Sequence, residues 1–224
     1  MTAVSDERRG FQPDIVRRGL VLILSSPSGA GKTSLTRALI EDKESRLTVS
    51  ISVTTRAKRS SEIQGRDYDF IAVDEFLSLR DRGELLEWAE VHGNYYGTPR
   101  RPVDRVLATG ADMIFDIDYQ GTRQVREKIG SDVVTVFILP PSMAELKNRL
   151  DRRAEDTRET IDRRLENARV EIERWTEYDY VIVNDDLNVS FLALKAVLSA
   201  ERLRRERRTG LESFVSGLLG ERVK

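Results

Sequence analysis

The stretch Gly19-Leu20-Val21-Leu22-Ile23-Leu24-Ser25-Ser26-Pro27-Ser28-Gly29-Ala30-Gly31-Lys32-Thr33 decides the fold. Its first six residues are near-continuously apolar, as in a strand covered on both faces. The following residues, 32–41, place Leu35, Leu39 and Ile40 at helical spacing. A buried strand, a glycine-bearing turn and a helix in that order can cradle phosphate. Gly29 and Gly31 lack Cβ, so the backbone can curl and aim successive N–H groups at phosphate oxygens. The helix amino end adds positive potential at the same spot. Lys32 can reach the β- and γ-phosphates of a nucleoside triphosphate, and the Thr33 hydroxyl can sit on Mg²⁺. The expected triphosphate loop therefore covers Ser26, Pro27, Ser28, Gly29, Ala30, Gly31, Lys32 and Thr33. The first glycine of the usual pattern, five residues before Gly31, is Ser26 here. An ordinary glycine-rich turn is the competing reading, and Gly-Lys-Thr in register after the strand speaks against it.

Working outward, three more apolar runs stand at 111–115, 133–139 and 180–183. Helical patterns lie between them. Ser142 and Glu145 form a capping-box pattern opening a helix through Leu150. Ile161, Leu165, Ala168, Ile172 and Trp175 mark one face of a helix over 160–175, and 191–203 is another amphipathic segment. This alternation predicts an α/β fold with a parallel sheet core and helices on both faces. Residues 47–71 alternate more, which predicts a half-exposed antiparallel ribbon, followed by a short helix at 74–82.

The chain has 224 residues, enough for one large α/β domain with a mobile subregion. There is no cysteine, which excludes disulfides and thiolate metal sites and agrees with a reducing, cytoplasmic location. The single histidine, His92, reads as a surface or turn residue, and its solitude argues against histidine-bound zinc. Phosphoryl transfer needs mainly positioning and positive charge. The net charge of −1 argues against a nucleic-acid coat, and no apolar run is long enough for a membrane span. The charged residues 1–18 read as a frayed leader without a secretory h-region.

Four further groupings carry chemistry. Arg56 and Arg59 follow a strand and lie near Glu62, Gly65, Asp67 and Tyr68. Two arginines can grip one anion from two directions, and a phenol can add a bond. Taken alone, the group also fits a surface charge run. Glu87 lies upstream of Tyr95, Tyr96 and Thr98. A carboxylate with a free edge can accept from the N1–H and 2-amino group of guanine, a donor pair adenine lacks. A hydroxyl such as Thr98 or Ser52 can complement the purine O6. Asp116 and Asp118 close an apolar strand, where wound sheets build their sites, and also fit capping roles. Finally, Arg149, Arg152, Arg153, Arg158, Arg163 and Arg164 form a charged flap that is either solvated or delivered over phosphates on closure.

Together these residues resemble the guanylate kinase family, of bacterial type, over about 19–200. The most specific stretches are Ser28-Gly29-Ala30-Gly31-Lys32-Thr33, Ser52-Val53-Thr54-Thr55-Arg56, Gly65-Arg66-Asp67-Tyr68-Asp69-Phe70, Gly93-Asn94-Tyr95-Tyr96-Gly97, Asp116-Ile117-Asp118, and the run 178–186. The resemblance implies a P-loop nucleoside monophosphate kinase fold with a GMP-binding lobe and a lid. It implies transfer of the γ-phosphoryl of ATP to GMP with Mg²⁺. By position it puts the GMP phosphate on Arg56, Arg59, Tyr68 and Tyr96, and the guanine on Glu87, Ser52 and Thr98 with Asp118 close by. Asp116 falls on the acid that meets the metal through water, and Asn184 on a residue near the adenine. The catalytic positions fall on Lys32, Arg149, Arg153 and Arg164. Family lids often read Gly-Arg-Gly, whereas this chain has Arg152-Arg153-Ala154. The implied division is a leader 1–18, a core of 19–49, 111–148 and 165–208, a GMP lobe 50–110, a lid 149–164 and a tail 209–224. The tail carries Leu211, Phe214 and Leu218 as a stripe for packing or a partner. A relative acting on a phosphorylated ribose, a non-catalytic scaffold and an RNA-linked NTPase are the competing readings. The last would use the arginines of 202–208, which otherwise read as a solvated helix end. Monomer and homo-oligomer are both left open.

Overall fold

The computed structural model describes residues 15–152 and 157–222. Its main sheet has five strands: β1 (Val21–Ser25), β2 (Leu47–Val49), β7 (Asp112–Phe115), β8 (Val133–Leu139) and β9 (Tyr180–Val183). They lie in the order β2-β7-β1-β8-β9, and every pairing is parallel. The four strands read from apolar runs are all here, but β9, at the sheet edge, is not covered on both faces: Val181 and Val183 are exposed. The fifth, β2, corrects the ribbon reading of 47–71: Leu47 and Val49 pair with β7 in the parallel sheet. Its alternating pattern reflects an edge position, where one side of the strand stays wet, rather than antiparallel pairing.

Period-two geometry divides β1 between two cores. Leu20, Leu22 and Leu24 face one side with Ile114, Val134 and Val136, under Leu35 and Leu39 of α1 (Lys32–Glu41) and Leu194 and Leu198 of α7 (Leu187–Arg202). Val21 and Ile23 face the other with Met113 and Phe115, under Val103 and Leu107 of α3 (Arg100–Ala108) and Val125 and Ile129 of α4 (Tyr119–Ile129). Truncating a fully buried leucine such as Leu22 to alanine costs about 2–5 kcal/mol. Because all five strands are parallel, their carboxyl ends share one edge. The loop after β1, Asp116 to Asp118 after β7 and Asn184 after β9 meet there.

A second sheet of four strands, ordered β4-β3-β6-β5, is built from β3 (Val53–Thr54), β4 (Asp69–Phe70), β5 (Leu85–Val91) and β6 (Asn94–Pro99). The β3–β4 pair is parallel, again unlike the expected ribbon, while β3–β6 and β5–β6 are antiparallel. Helix α2 (Val73–Asp81) packs Phe76 into this sheet with Val53 and Leu85. The β5–β6 hairpin turns at His92 and Gly93, both at positive φ, which places His92 in an exposed turn as expected. The register of β5 shifts between Leu85 and Glu87. Such a bulge re-aims side chains, and three consecutive residues are buried in different places. Leu85 enters the second sheet's core, Leu86 enters the main core, and Glu87 turns toward α4. Gln124 of α4 pins the joint, giving to Trp88 O at 3.0 Å and accepting from Trp88 N at 3.1 Å, and Lys128 Nζ gives to Leu85 O at 2.8 Å.

The described part of the flap is mostly helix. Arg149 belongs to α5 (Met143–Asp151), while Arg158, Arg163 and Arg164 belong to α6 (Arg158–Ile172). Arg153 lies outside the described residues. Ser142 caps α5 by accepting from Glu145 N at 3.0 Å. On α6, Ile161 and Ala168 are buried as read, but Trp175 lies past the helix and is 48% exposed. The tail forms α8 (Leu211–Gly220) with no buried residue, so its stripe is helical but unpacked.

The two ends of the chain need correction where they are described. Arg17 gives two bonds to Asp112, at 2.7 and 2.9 Å, and Arg202 Nε gives a third at 2.7 Å. Asp112 is fully buried and also caps Leu20 N at 2.9 Å. Arg18 pairs with Asp132, and its amide gives to Arg207 O at 2.7 Å. Arg207 is 5% exposed, giving to Glu201 Oε2 at 3.2 Å and Ser131 O at 2.9 Å. Arg17 and Arg18 are thus anchored, not frayed, and Arg202 and Arg207 are not a solvated run. Apart from Glu201, their partners are distant in sequence, so charge counting could not reveal the pairing. The rest of the expected leader, 1–14, lies outside the described residues. Among the described residues no helix is long and apolar enough to cross a membrane.

Candidate active site

The loop between β1 and α1 has Gly29 at φ 94° and Gly31 at φ 105°. A Cβ on Gly31 would stand 2.2 Å from Asn184 Nδ2, and one on Gly29 would stand 3.0 Å from Leu150. Glycine is therefore required at Gly31 twice, by conformation and by space. Among the described residues the positive-φ non-glycines are Arg46 and His92, so Ser26 keeps an ordinary backbone. Its hydroxyl folds back onto Pro27 O at 3.0 Å. The loop's unusual angles fall on Gly29 and Gly31, and Ser26 in place of glycine is accommodated.

Lys32 forms an ion pair with Asp116, whose side chain is two-thirds exposed at the end of β7. The Thr33 hydroxyl group is on the exposed start of α1. A cavity of about 260 Å³ opens beside them, lined among others by Ser26, Lys32, Asp116, Asp118, Glu171 and Tyr178. Burial pushes the Glu171 carboxyl and the Tyr178 phenol above their ordinary values. Sequence reading did not assign Glu171, Arg174 or Tyr119. The Arg174 guanidinium lies 3.9 Å from the Tyr119 ring centre, a contact between α4 and the turn after α6 that sequence spacing does not signal.

Asn184 is buried behind the loop. Its side-chain amide gives to Ala30 O at 2.8 Å, and its backbone carbonyl accepts from Arg149 Nη2 at 3.0 Å. Arg149 also gives to Glu145 at 2.9 Å. In this structure both residues brace the loop. Arg164 lies half-buried on α6.

Glu87 is 7% exposed. Thr98, opposite it on β6, donates its hydroxyl to Glu87 Oε1 at 2.6 Å. Oε2 faces Gly121 at the start of α4, where a Cβ would come within 3.3 Å. Burial raises the Glu87 carboxyl above the usual range, the nearby Asp118 charge adds to this, and Thr98 and Lys128 oppose it. Asp118 caps α4, accepting from Gly121 N at 2.9 Å. The capping reading and the site reading of Asp118 therefore coexist. Ser52 is half-buried at the start of β3, and its carbonyl accepts from Asp69 N at 2.9 Å.

In the second sheet, the Arg56 guanidinium lies 5.5 Å from the Tyr68 ring centre and 5.6 Å from that of Phe70. Tyr68 and Tyr96 meet edge to face with centres 6.0 Å apart. Arg56, Tyr68 and Tyr96 thus converge, while the Arg59 side chain is exposed nearby. Two oxygen donors, Thr33 and Asp116, suit a hard divalent cation that keeps water and phosphate as its other ligands. Among the described residues no cluster of three acidic or histidine side chains forms a cage for a metal.

The family model "Guanylate kinase" matches residues 18–201. The chain is similar to "Guanylate kinase" of Rhizobium meliloti (strain 1021), 59% identical over 92% of this chain and 94% of that one. It is 60% identical to "Guanylate kinase" of Chelativorans sp. (strain BNC1), over 93% of this chain and 95% of that one. Among solved structures it resembles guanylate kinase from Anaplasma phagocytophilum, with a TM-score of 0.70 and 36% identity, over 93% of this chain and 100% of that one.

Proposed function

We propose, from the premise that this chain belongs to the guanylate kinase family and transfers the γ-phosphoryl group of ATP to GMP, a division of that reaction among the residues of its two sheets. The observation that carries the assignment is Glu87: a buried carboxylate with one oxygen held by Thr98 and the other facing a glycine. Oriented in this way, it accepts from guanine N1–H and the 2-amino group, with Ser52, Thr98 and Asp118 around the base. Adenine would leave the buried carboxylate unpaired, and that penalty is the source of selectivity.

Arg56, Arg59, Tyr68 and Tyr96 hold the GMP phosphate. Its oxygen is already anionic at neutral pH, so no general base is required. The ATP phosphates lie against the loop 26–33 and accept from its backbone N–H groups, Pro27 having none. Lys32 leaves Asp116 to neutralise them, and Arg149, Arg153 and Arg164 neutralise charge on the transferring group. Asn184 sits behind the loop and contributes to ATP binding by supporting it. Mg²⁺ would be held by Thr33 and, through water, by Asp116, and when bound it would supply neutralisation of phosphate charge. Closure of the lobe 50–110 and the lid 149–164 on the core 19–49, 111–148 and 165–208 excludes water that would otherwise hydrolyse ATP. A chain without cysteine that consumes ATP fits a cytoplasmic setting.

The test is ADP release from ATP with a panel of nucleoside monophosphates, in the wild type and in Glu87→Gln. GMP should be the preferred acceptor, and Glu87→Gln should erase the preference for GMP over AMP. Retained discrimination in that variant would move base recognition elsewhere.

A further inference from the structure

Glu62 places a negative charge where a phosphate is expected. Its carboxylate takes both terminal nitrogens of Arg56, with Nη2 giving to Oε1 at 2.7 Å and Nη1 giving to Oε2 at 3.0 Å. Oε2 also accepts from Arg59 N at 2.8 Å, and the turn is closed by Glu62 N giving to Arg59 O at 3.1 Å. Lys58 Nζ adds a bond to Glu62 O at 3.0 Å. Both side chains of the pair are mostly shielded, at 17% and 15% exposure. Arg56 Nη1 gives its other proton to Ala57 O at 2.8 Å. A guanidinium has five N–H donors in a rigid fork. With Nη1 used up and Nη2 half used, the Nε–H and one Nη2–H remain. Tyr68, Phe70 and Tyr96 pack around that same group.

We propose that Glu62 is a positioning residue for phosphate recognition. It grips Arg56 by one edge, ties it to the turn that carries Arg59, and leaves the remaining donors directed to the Tyr68 and Tyr96 side. This rests on the assignment of the GMP phosphate to Arg56. An arginine without such a partner samples many rotamers and must be ordered when the ligand arrives, whereas a bidentate partner orders it beforehand. The carboxylate stays ionised through neutral and mildly acidic pH, because Arg56 and the Arg59 amide draw it down to about 2. It therefore acts as a fixed strut.

Two effects of losing Glu62 have opposite signs. Removing its charge lessens repulsion of an incoming phosphate and would tighten GMP. Removing its fork frees Arg56 and would weaken GMP. Positioning requires the second to win.

The experiment measures dissociation constants of GMP and of guanosine for the wild type, Glu62→Gln, Glu62→Asp and Arg56→Ala. Guanosine carries the base without the phosphate. Glu62→Gln should weaken GMP by about tenfold, the scale of one charge-assisted hydrogen bond. Guanosine should be unchanged, and Glu62→Asp should recover part of the loss. GMP binding that is equal or tighter in Glu62→Gln, while Arg56→Ala weakens it, would overturn the proposal and leave Glu62 as a counter-charge. Parallel weakening of GMP and guanosine would also overturn it, since that is the mark of a general folding role. GMP affinity unchanged in Arg56→Ala would instead refute the underlying phosphate assignment.

Discussion

The phosphate loop and the Arg56 pocket are each assigned one phosphoryl-bearing substrate, yet they are built in different ways. The loop at 26–33 works through backbone: two glycines at positive φ, a helix amino end, and Asn184 and Leu150 closing the space behind it. The pocket works through side chains: Arg56 held by Glu62 and flanked by Tyr68 and Tyr96, which come from separate strands and turns. A backbone site is preorganised by chain conformation and has little freedom to lose. A side-chain site must be ordered by partners, here a second charge. On the role proposed for Glu62, the contrast teaches that a positive pocket can need a carboxylate to function.

Lys32→Ala gives the widest separation between the two regions. Turnover should fall by about 10²–10³-fold, as on loss of a donor to a charged transition state. Circular dichroism should be unchanged, and normal turnover would remove the loop lysine from the mechanism. Glu87→Ala comes next. Losing a buried acceptor of two charge-assisted bonds should raise the Michaelis constant for GMP by roughly 10²-fold and leave that for ATP alone. An equal rise in both constants would contradict guanine recognition by Glu87.

Gly31→Ala tests the backbone side. Strain at positive φ, on the order of 1–3 kcal/mol, adds to the clash with Asn184. The Michaelis constant for ATP should rise by about tenfold with guanosine affinity unaltered, and isothermal titration with each ligand would decide it. Arg59→Ala should have a smaller effect, a few-fold on GMP, because that side chain is exposed and is not held by a partner carboxylate in the way Arg56 is. A loss as large as that of Arg56→Ala would mean that preordering does not matter.

The smallest expected effect is a pH dependence. Guanine recognition needs ionised Glu87, and burial raises that carboxyl above its ordinary value. As pH falls, guanosine affinity should decline before ordinary carboxylates protonate, and the decline should vanish in Glu87→Gln. Guanosine is the suitable probe because it lacks the titrating phosphate of GMP. An affinity flat through the mildly acidic range would argue against an ionised Glu87 in the complex.

Legibility differed along the same line. The loop, the four strands of the apolar runs and the Asp116–Asp118 pair were readable because contiguous residues carry them. The identity of the residues in the second sheet was also readable, through resemblance, but their arrangement was not. Glu62 stood in view beside Arg56 without a role, because a six-residue spacing through an irregular turn says nothing of a fork-to-fork contact. The aim of Glu87 depends on a bulge at Leu86 that no local pattern announces. By resemblance Asn184 matches a residue near the adenine, and its bond to Ala30 O could not be read beforehand, since only folding sets the end of β9 behind the loop. The arginines near both ends read as solvent-facing for the same reason: Asp112, Asp132 and Glu201 meet them only in three dimensions.

By itself, the sequence determined that this chain is an α/β protein with a triphosphate loop and a set of residues fit for guanine and phosphate. Hydrophobic period and glycine position are local properties, written residue by residue. The tertiary structure alone decided which charges are paired, which carboxylate is buried, and which arginine is held by a partner. Those depend on distance and burial, and a chain sets both only when parallel strands bring their ends to one edge.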